Sequence, residues 1–185
     1  MNFKPRDRVQ FNMPETATLT GIRQGGEIPL VKDFVAVVPA SDYQKSSGNM
    51  TRLDGLGTGK ASITVWPLDM KAYTSTAQAP YAEYQVPVKA GKNHIEVRCL
   101  PTFPVNTTYD LRVAIAVDGK TPVTSSLKTV AMEGRWNTTV IQGYNEAAVD
   151  YESATEKTVT VRVSFMDPGL VVSEIRNTVK NEDDL

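Results

Sequence analysis

The fold class that the sequence predicts is all-β, a two-sheet antiparallel β-sandwich, and three observations predict it. β-Branched residues dominate: 22 Val, 20 Thr and 7 Ile stand against 10 Leu and 15 Ala. Such side chains lose rotamer freedom in a helix and pack well on a pleated surface. Several segments alternate apolar and polar residues with period two, the pattern of a strand with one buried face. Compact turn signals fall between them, and no long amphipathic helix interrupts the series.

The elements follow in chain order. Residues 1–31 carry Pro5, Pro14, Pro29 and the pair Gly25-Gly26, and read as a linker or an added edge segment. A sandwich domain spans 32–180, with "DFVAVVPASDY" as its first strand, and 181–185 form a tail. "DGLGTGK" reads as a turn with at least one glycine at positive φ, feeding a strand over Ser62–Trp66. In "YAEYQVPV", Tyr84, Val86 and Val88 share one face, and Ala90-Gly91-Lys92 turns the chain. In "NHIEVRCL", Ile95, Val97 and Cys99 point in, opposite Glu96 and Arg98. "YDLRVAIAV" aligns Leu111, Val113, Ile115 and Val117 before the turn at Asp118-Gly119-Lys120. "GYNEAAVDYESATEK" is compatible with a strand and its loop or with a helical turn. "TVTVRVSF" places Val159, Val161, Val163 and Phe165 inward, and Asp167-Pro168-Gly169 turns the chain again. Pro39, Pro67, Pro87 and Pro122 are placed to blunt open sheet edges.

Composition narrows the function classes. With 185 residues the chain suits one domain that buries about 70% of its unfolded surface. Its 20 basic and 21 acidic residues are interspersed, without the basic stripe a nucleic-acid partner needs. No apolar run reaches the length of a membrane span, and the start lacks the apolar centre of a signal peptide. One cysteine excludes an internal disulfide. Glycosylation triplets occur at Asn49, Asn106 and Asn137, and carry meaning only if the source glycosylates.

"DGLGTGKAS" looks at first like a phosphate-binding loop, and fails that test. GxxxxGK[ST] needs a glycine six residues before the lysine, where this chain has Asp54, and a hydroxyl after it, where it has Ala61. GxGxxG fits Gly55 and Gly57 but then meets Lys60. The following "SITVWPL" is a strand sequence, so no helix N-terminus is offered to an anion. The glycines serve a turn.

Catalytic residues are none by this reading, and neither a metal nor a cofactor is expected. His94 is the only histidine, so a zinc site or a Ser-His-Asp triad would rest on one imidazole. Cys99 faces the core by alternation and reads as an inert thiol. Glu83, Glu133, Asp150 and Glu152 could in principle serve glycoside hydrolysis, but nothing pairs them, and they read as solvated. The aromatic residues offer more, because sugar rings present apolar C–H faces to flat side chains. Trp66 sits at the end of its strand, and Trp136 is flanked by Arg135 and Asn137, which can hydrogen-bond hydroxyls or a carboxylate. Tyr109, Tyr73 and Tyr144 are further candidates. The alternative for both tryptophans is a place in the core or at its end.

The order of segments resembles the C-terminal domain of glycoside hydrolase family 115, the xylan α-glucuronidases, from about Phe34 to Val179. The residues that carry it are "LDGLGTGKASITVWP" (53–67), "APYAEYQV" (79–86), Pro101-Thr102, "LRVAIAVDG" (111–119), Trp136 with Val140, and "DPGLVVSEI" (167–175). Family members commonly carry an arginine and a serine where this chain has Thr58 and Gly59, and a histidine that "EKTVTVRV" lacks. The resemblance implies a jelly-roll or galactose-binding-like sandwich at the end of a multidomain bacterial enzyme, periplasmic or extracellular, whose catalytic residues lie in other domains. It implies a non-catalytic accessory domain of a polysaccharide-degrading protein. Such a domain packs on a catalytic domain or, in a homodimer, on a second protomer, and contacts glycan. The alternative is a free-standing carbohydrate-binding module for a plant cell-wall polysaccharide, with Trp136, Arg135, Asn137, Trp66 and Tyr109 as its ligand-binding residues.

Overall fold

The computed structural model describes residues 34–58 and 61–179. The linker expected over 1–31, the tail over 181–185 and the turn residue Lys60 lie outside them. Among the described residues eleven strands and one helix follow in order: β1 (Phe34–Pro39), β2 (Lys45–Ser47), β3 (Met50–Asp54), β4 (Ala61–Val65), β5 (Tyr81–Val88), β6 (Gly91–Cys99), β7 (Arg112–Val117), β8 (Val123–Ser126), α1 (Gly134–Gln142), β9 (Asn145–Ser153), β10 (Lys157–Phe165) and β11 (Val171–Val179). They form two antiparallel sheets. One runs β3-β4-β11-β6-β9, with β1 also paired to β11, and the other runs β2-β5-β10-β7-β8. The fold is the two-sheet sandwich that the alternation predicts.

The core lies between the sheets. The inward faces of β5, β7 and β10 (Tyr84, Val86, Val88, Val113, Ile115, Val159, Val161, Val163 and Phe165) meet Ile63, Ile95, Val97, Cys99, Val172 and Ile175 from the other sheet. All are at most 1% exposed, so each contributes about 1.5–3 kcal/mol of apolar burial for a Val-, Ile- or Phe-sized side chain. Tyr84 is buried as a whole, and its hydroxyl donates to the Ala40 carbonyl at 3.0 Å, so no polar atom is stranded. Burial pushes the Tyr84 hydroxyl and the Cys99 thiol far above their usual values, which leaves both protonated.

The glycine turn behaves as expected. Gly55 and Gly57 sit at φ 73° and 85°, and the chain enters β4. A Cβ on Gly57 would lie 2.3 Å from Ser173 Oγ, so backbone reach and close packing both call for glycine there. Of the four prolines, Pro87 lies on β5 beyond the short partner β2, and Pro122 directly precedes the edge strand β8. "GYNEAAVDYESATEK" resolves into β9 and the turn after it.

Two features were not legible in the sequence. The outer face of the six-stranded sheet is not simply solvated: Glu96 and Glu174 are 7% and 2% exposed. Arg98 places Nη2 3.6 Å from Glu96 and Nη1 3.7 Å from Glu174, and its guanidinium lies 3.9 Å from the Tyr144 ring centre. Arg176 Nε donates to Glu174 as well. Charges of opposite sign neutralise each other within this layer, although Glu96 Oε2 and Arg98 Nε make no hydrogen bond there. Second, "GRWNTTVIQ" is helical although its β-branched run favours a strand. Gly143 ends the helix in the left-handed region at φ 80°, its N–H bonded to the Thr139 carbonyl.

Candidate functional site

Strand directions collect the long connections at one end of the sandwich. β4 ends beside the start of β11, β6 ends beside the start of β9, and β10 ends beside the start of β7. Connections 66–80, 100–111, 127–144 and 166–170 therefore share that end, while 89–90, 118–122 and 154–156 close the other.

Three polar contacts set the loop-bearing end. Asp167, 2% exposed, receives Arg112 Nε at 2.7 Å, Nη2 at 2.8 Å and the Arg112 backbone N–H at 2.8 Å. The same guanidinium donates to the Tyr73 carbonyl at 3.0 Å, which ties connection 66–80 to the strand end. The Asp167 bonds hold the arginine pKa above its ordinary value. Asn145 Nδ2 donates to the Leu127 carbonyl at 2.8 Å, and Arg135 Nη2 reaches Asn145 Oδ1 at 3.3 Å, so helix, β8 end and β9 start are joined. Asp110 accepts from Ser126 Oγ at 2.6 Å and from the Leu111 N–H at 2.7 Å. Partial burial raises its pKa, but these bonds outweigh that and hold the carboxyl below the usual range.

All five ligand-binding candidates sit at this end. Trp66 follows β4, its N–H anchored to the Asn49 carbonyl at 3.0 Å, and its side chain is 54% exposed. It does not fill the core. Trp136 is half-buried on α1, between exposed Arg135 and Asn137. Tyr109 is half-buried, and its carbonyl accepts from Lys128 Nζ at 3.0 Å. Of the further tyrosines, Tyr73 packs against buried Ala79, Ala114 and Met166, and Tyr144 stacks on Arg98. Sequence reasoning missed the apolar company: Leu68, Phe103, Val105, Val130, Met132, Val140 and Ile141 are all exposed in the same connections and helix. Their polar neighbours hid them.

The ionisable candidates do not gather into one site, and only His94 and Asp150 among them meet. His94 Nδ1 lies 2.7 Å from Asp150 Oδ1 and its Nε2 3.6 Å from Glu96, on the outer face of the six-stranded sheet. Glu83 belongs to the other sheet, where Arg162 engages it at 2.6 Å, so it is not the solvated carboxylate expected. Glu133 is the N-cap residue of α1, and Glu152 lies exposed on β9. Among the described residues no group of three or more His, Cys, Asp or Glu is suited to hold a metal ion, and no helix is long and apolar enough to cross a membrane.

The fold defines a class, the β-sandwich shared with carbohydrate-binding modules. A family 35 module from Clostridium thermocellum superposes at TM-score 0.52 and 16% identity, over 78% of this chain and 99% of that one. A Cellvibrio mixtus lichenase 5A module, CBM6cm-2, solved with cellotriose, does so at 0.51 and 14%, over 80% and 99%. The chain belongs to the glycosyl hydrolase family 115 C-terminal domain family, whose model matches residues 32–177. Its fold also matches BtGH115A, a 4-O-methyl-α-glucuronidase with specificity for decorated arabinogalactans, at TM-score 0.63 and 15% identity. That match covers 80% of this chain and 18% of the enzyme. No curated protein matches the chain in sequence.

Proposed function

We propose that this chain is a non-catalytic accessory β-sandwich of a polysaccharide-degrading, family 115-like glycoside hydrolase, working in the periplasm or outside the cell. Its loop-bearing end docks on a catalytic domain or a second protomer and contacts glycan there. The observation that carries this reading is the exposure of large apolar side chains at that end, from Trp66 at 54% to Met132 at 78% and Ile141 at 87%. Large apolar side chains gathered in water at one end of a folded domain mark a candidate interaction site, where scattered ones would not. Family membership supports a parent with further domains. Sedimentation of the chain alone, and mixed with the catalytic part of its own reading frame, tests it. A complex or a dimer is expected, and a monomer in both experiments overturns the reading.

The second reading is a free-standing carbohydrate-binding module, favoured by the exposed ring of Trp66 beside an end that also holds Trp136, Arg135, Asn137 and Tyr109. Calorimetry on glucuronoxylan with wild type and Trp136→Ala decides it. Affinity without any neighbouring domain, lost in the variant, supports this reading, and no binding by either protein removes it.

A further inference from the structure

The outer face of the five-stranded sheet holds a groove of about 320 Å³ that runs from connection 66–80 to the 118–122 turn and is not lined by Trp66, Trp136 or Tyr109. An outer sheet face left to water is shallow. This one is walled on one side by Ala77 from connection 66–80 and on the other by Pro122 after the β7–β8 turn. The floor runs over β5, β10 and β7 through Glu83, Arg162, Thr160 and Ala116.

The floor is chemically ordered. Arg162 donates Nε and Nη2 to a single oxygen, Glu83 Oε1, at 2.8 and 2.6 Å, and its guanidinium stacks 4.0 Å from the Tyr81 ring centre. A guanidinium held on both a carboxylate and a ring has its remaining N–H edge fixed in direction. Glu83 Oε2 takes neither bond and stands beside it as an acceptor. Thr160 Oγ1 accepts from Gln85 Nε2 at 3.0 Å, which directs its own hydroxyl hydrogen elsewhere. Lys120, on the same rim, places its ammonium 4.5 Å from the Tyr151 ring centre.

We propose that this groove binds a neutral saccharide, with vicinal hydroxyls shared between Arg162 and Glu83 and the ring's C–H face on Ala116, Ala77 and Pro122. Each sugar hydroxyl donates and accepts, so a fixed donor beside a fixed acceptor suits two neighbouring hydroxyls better than a single charge. The Arg162 and Glu83 charges cancel on the floor, and the remaining charge, Lys120, stands at the rim against the Tyr151 ring. Glu83 opposes the carboxylate of an acidic sugar seated on the floor, which favours a neutral ring there. Small apolar groups with few converging polar ones are the usual make-up of a ligand site. This inference does not depend on the docking role of the loop-bearing end.

The test is nitrogen–proton NMR titration of the chain with cellotriose, xylotriose, galactotriose and glucuronic acid. At least one neutral trisaccharide is expected to shift the amides of Ala116, Thr160 and Arg162 with millimolar affinity or better, and glucuronic acid is expected to bind more weakly. Ala116→Phe fills the floor and should weaken binding by at least about tenfold. Glu83→Gln, which can still accept from Arg162, should weaken it several-fold even if the phenylalanine variant folds poorly. Trp136→Ala should leave it unchanged. Absence of groove shifts with every sugar overturns the proposal. So does tighter binding of glucuronic acid, or binding that is lost in Trp136→Ala and kept in Ala116→Phe.

Discussion

Where β4, β6 and β10 finish, long connections carry exposed rings and aliphatic side chains and are held by Arg112 on buried Asp167. At the opposite end, short turns carry charge: Lys157 Nζ lies 2.8 Å from Asp118, and Lys89 Nζ 2.8 Å from Glu156. The order there comes from a side-chain amide. Asn93, fully buried, accepts the Lys89 N–H at 3.0 Å and an Asn177 amide N–H at 2.9 Å, and donates to the Lys89 and Gly91 carbonyls. One end is a closed, polar seam suited to water, and the other leaves large apolar side chains exposed. The same core supports both.

The largest effect that would break the comparison is expected from Arg112→Ala. It leaves Asp167 buried without its bidentate partner and removes the side-chain bond to the Tyr73 carbonyl, while the Tyr73 N–H keeps its bond to the Met166 carbonyl. Breaking such a pair costs about 3 kcal/mol. For a domain of this size that lowers Tm by roughly 6–12 °C in a calorimetric scan. A shift within error would mean that the loop-bearing end is not held by this pair.

The glycine turn offers a second contrast, between two neighbouring glycines. Gly55→Ala meets open space, so only the positive φ opposes it, at about 1 kcal/mol. Gly57→Ala adds a Cβ 2.3 Å from Ser173 Oγ and 2.6 Å from Ser62 Oγ. Those hydroxyls serve the Thr58 N–H and the Leu56 carbonyl, so moving them breaks bonds, and the cost rises to about 2–3 kcal/mol. Urea denaturation of the two variants should rank them in that order, and equal costs would refute the packing argument.

The strands were legible in the sequence because period two survives wherever one face is apolar, as in Val159, Val161 and Val163. The burial of Glu96 and Glu174 was not, because a carboxylate on an outer face looks the same in sequence whether or not arginines cover it. Helix α1 was hidden by Thr138, Thr139, Val140 and Ile141, which favour a strand, and only Gly143 marks its end. Trp66, Tyr109 and Trp136 could be named as candidates from residue type alone. Their placement at one end depends on strand order, and the Arg112–Asp167 pair that holds that end spans a separation of 55 residues. Period and propensity are local signals and do not reach that far.

A smaller effect concerns charge at the short-turn end. Asp118 is partly desolvated, which raises its pKa, but bonds from Lys157, the Thr160 N–H and Tyr151 outweigh this and set it below the ordinary 3.8. A carboxyl with a depressed folded pKa stabilises above its unfolded value, and that contribution is lost as pH falls through the folded one. Stability should therefore climb across the acid range, and Asp118→Asn should flatten part of that climb below about pH 5. Chemical denaturation at a series of pH values reads this directly. Superimposable curves would mean that Asp118 is no better solvated by its partners than by water.

The smallest expected change in stability belongs to the exposed apolar side chains of the loop-bearing end, where it is most informative. Ile141 is 87% exposed at the end of α1, and Met132 is 78% exposed before it. Side chains that gain little burial on folding lose little when replaced, so Met132→Ser with Ile141→Ser should move stability by less than about 0.5 kcal/mol each. Serine and isoleucine have similar helix propensities, so the helix should persist. Association is another matter, because apolar side chains kept in water contribute when a partner covers them. The double variant should melt like wild type yet weaken, in sedimentation, whatever dimer or domain complex the wild type forms. Lost stability with unchanged association would reverse the assignment, making these side chains props of the loop-bearing end and leaving Trp66 and Trp136 to carry its contacts alone.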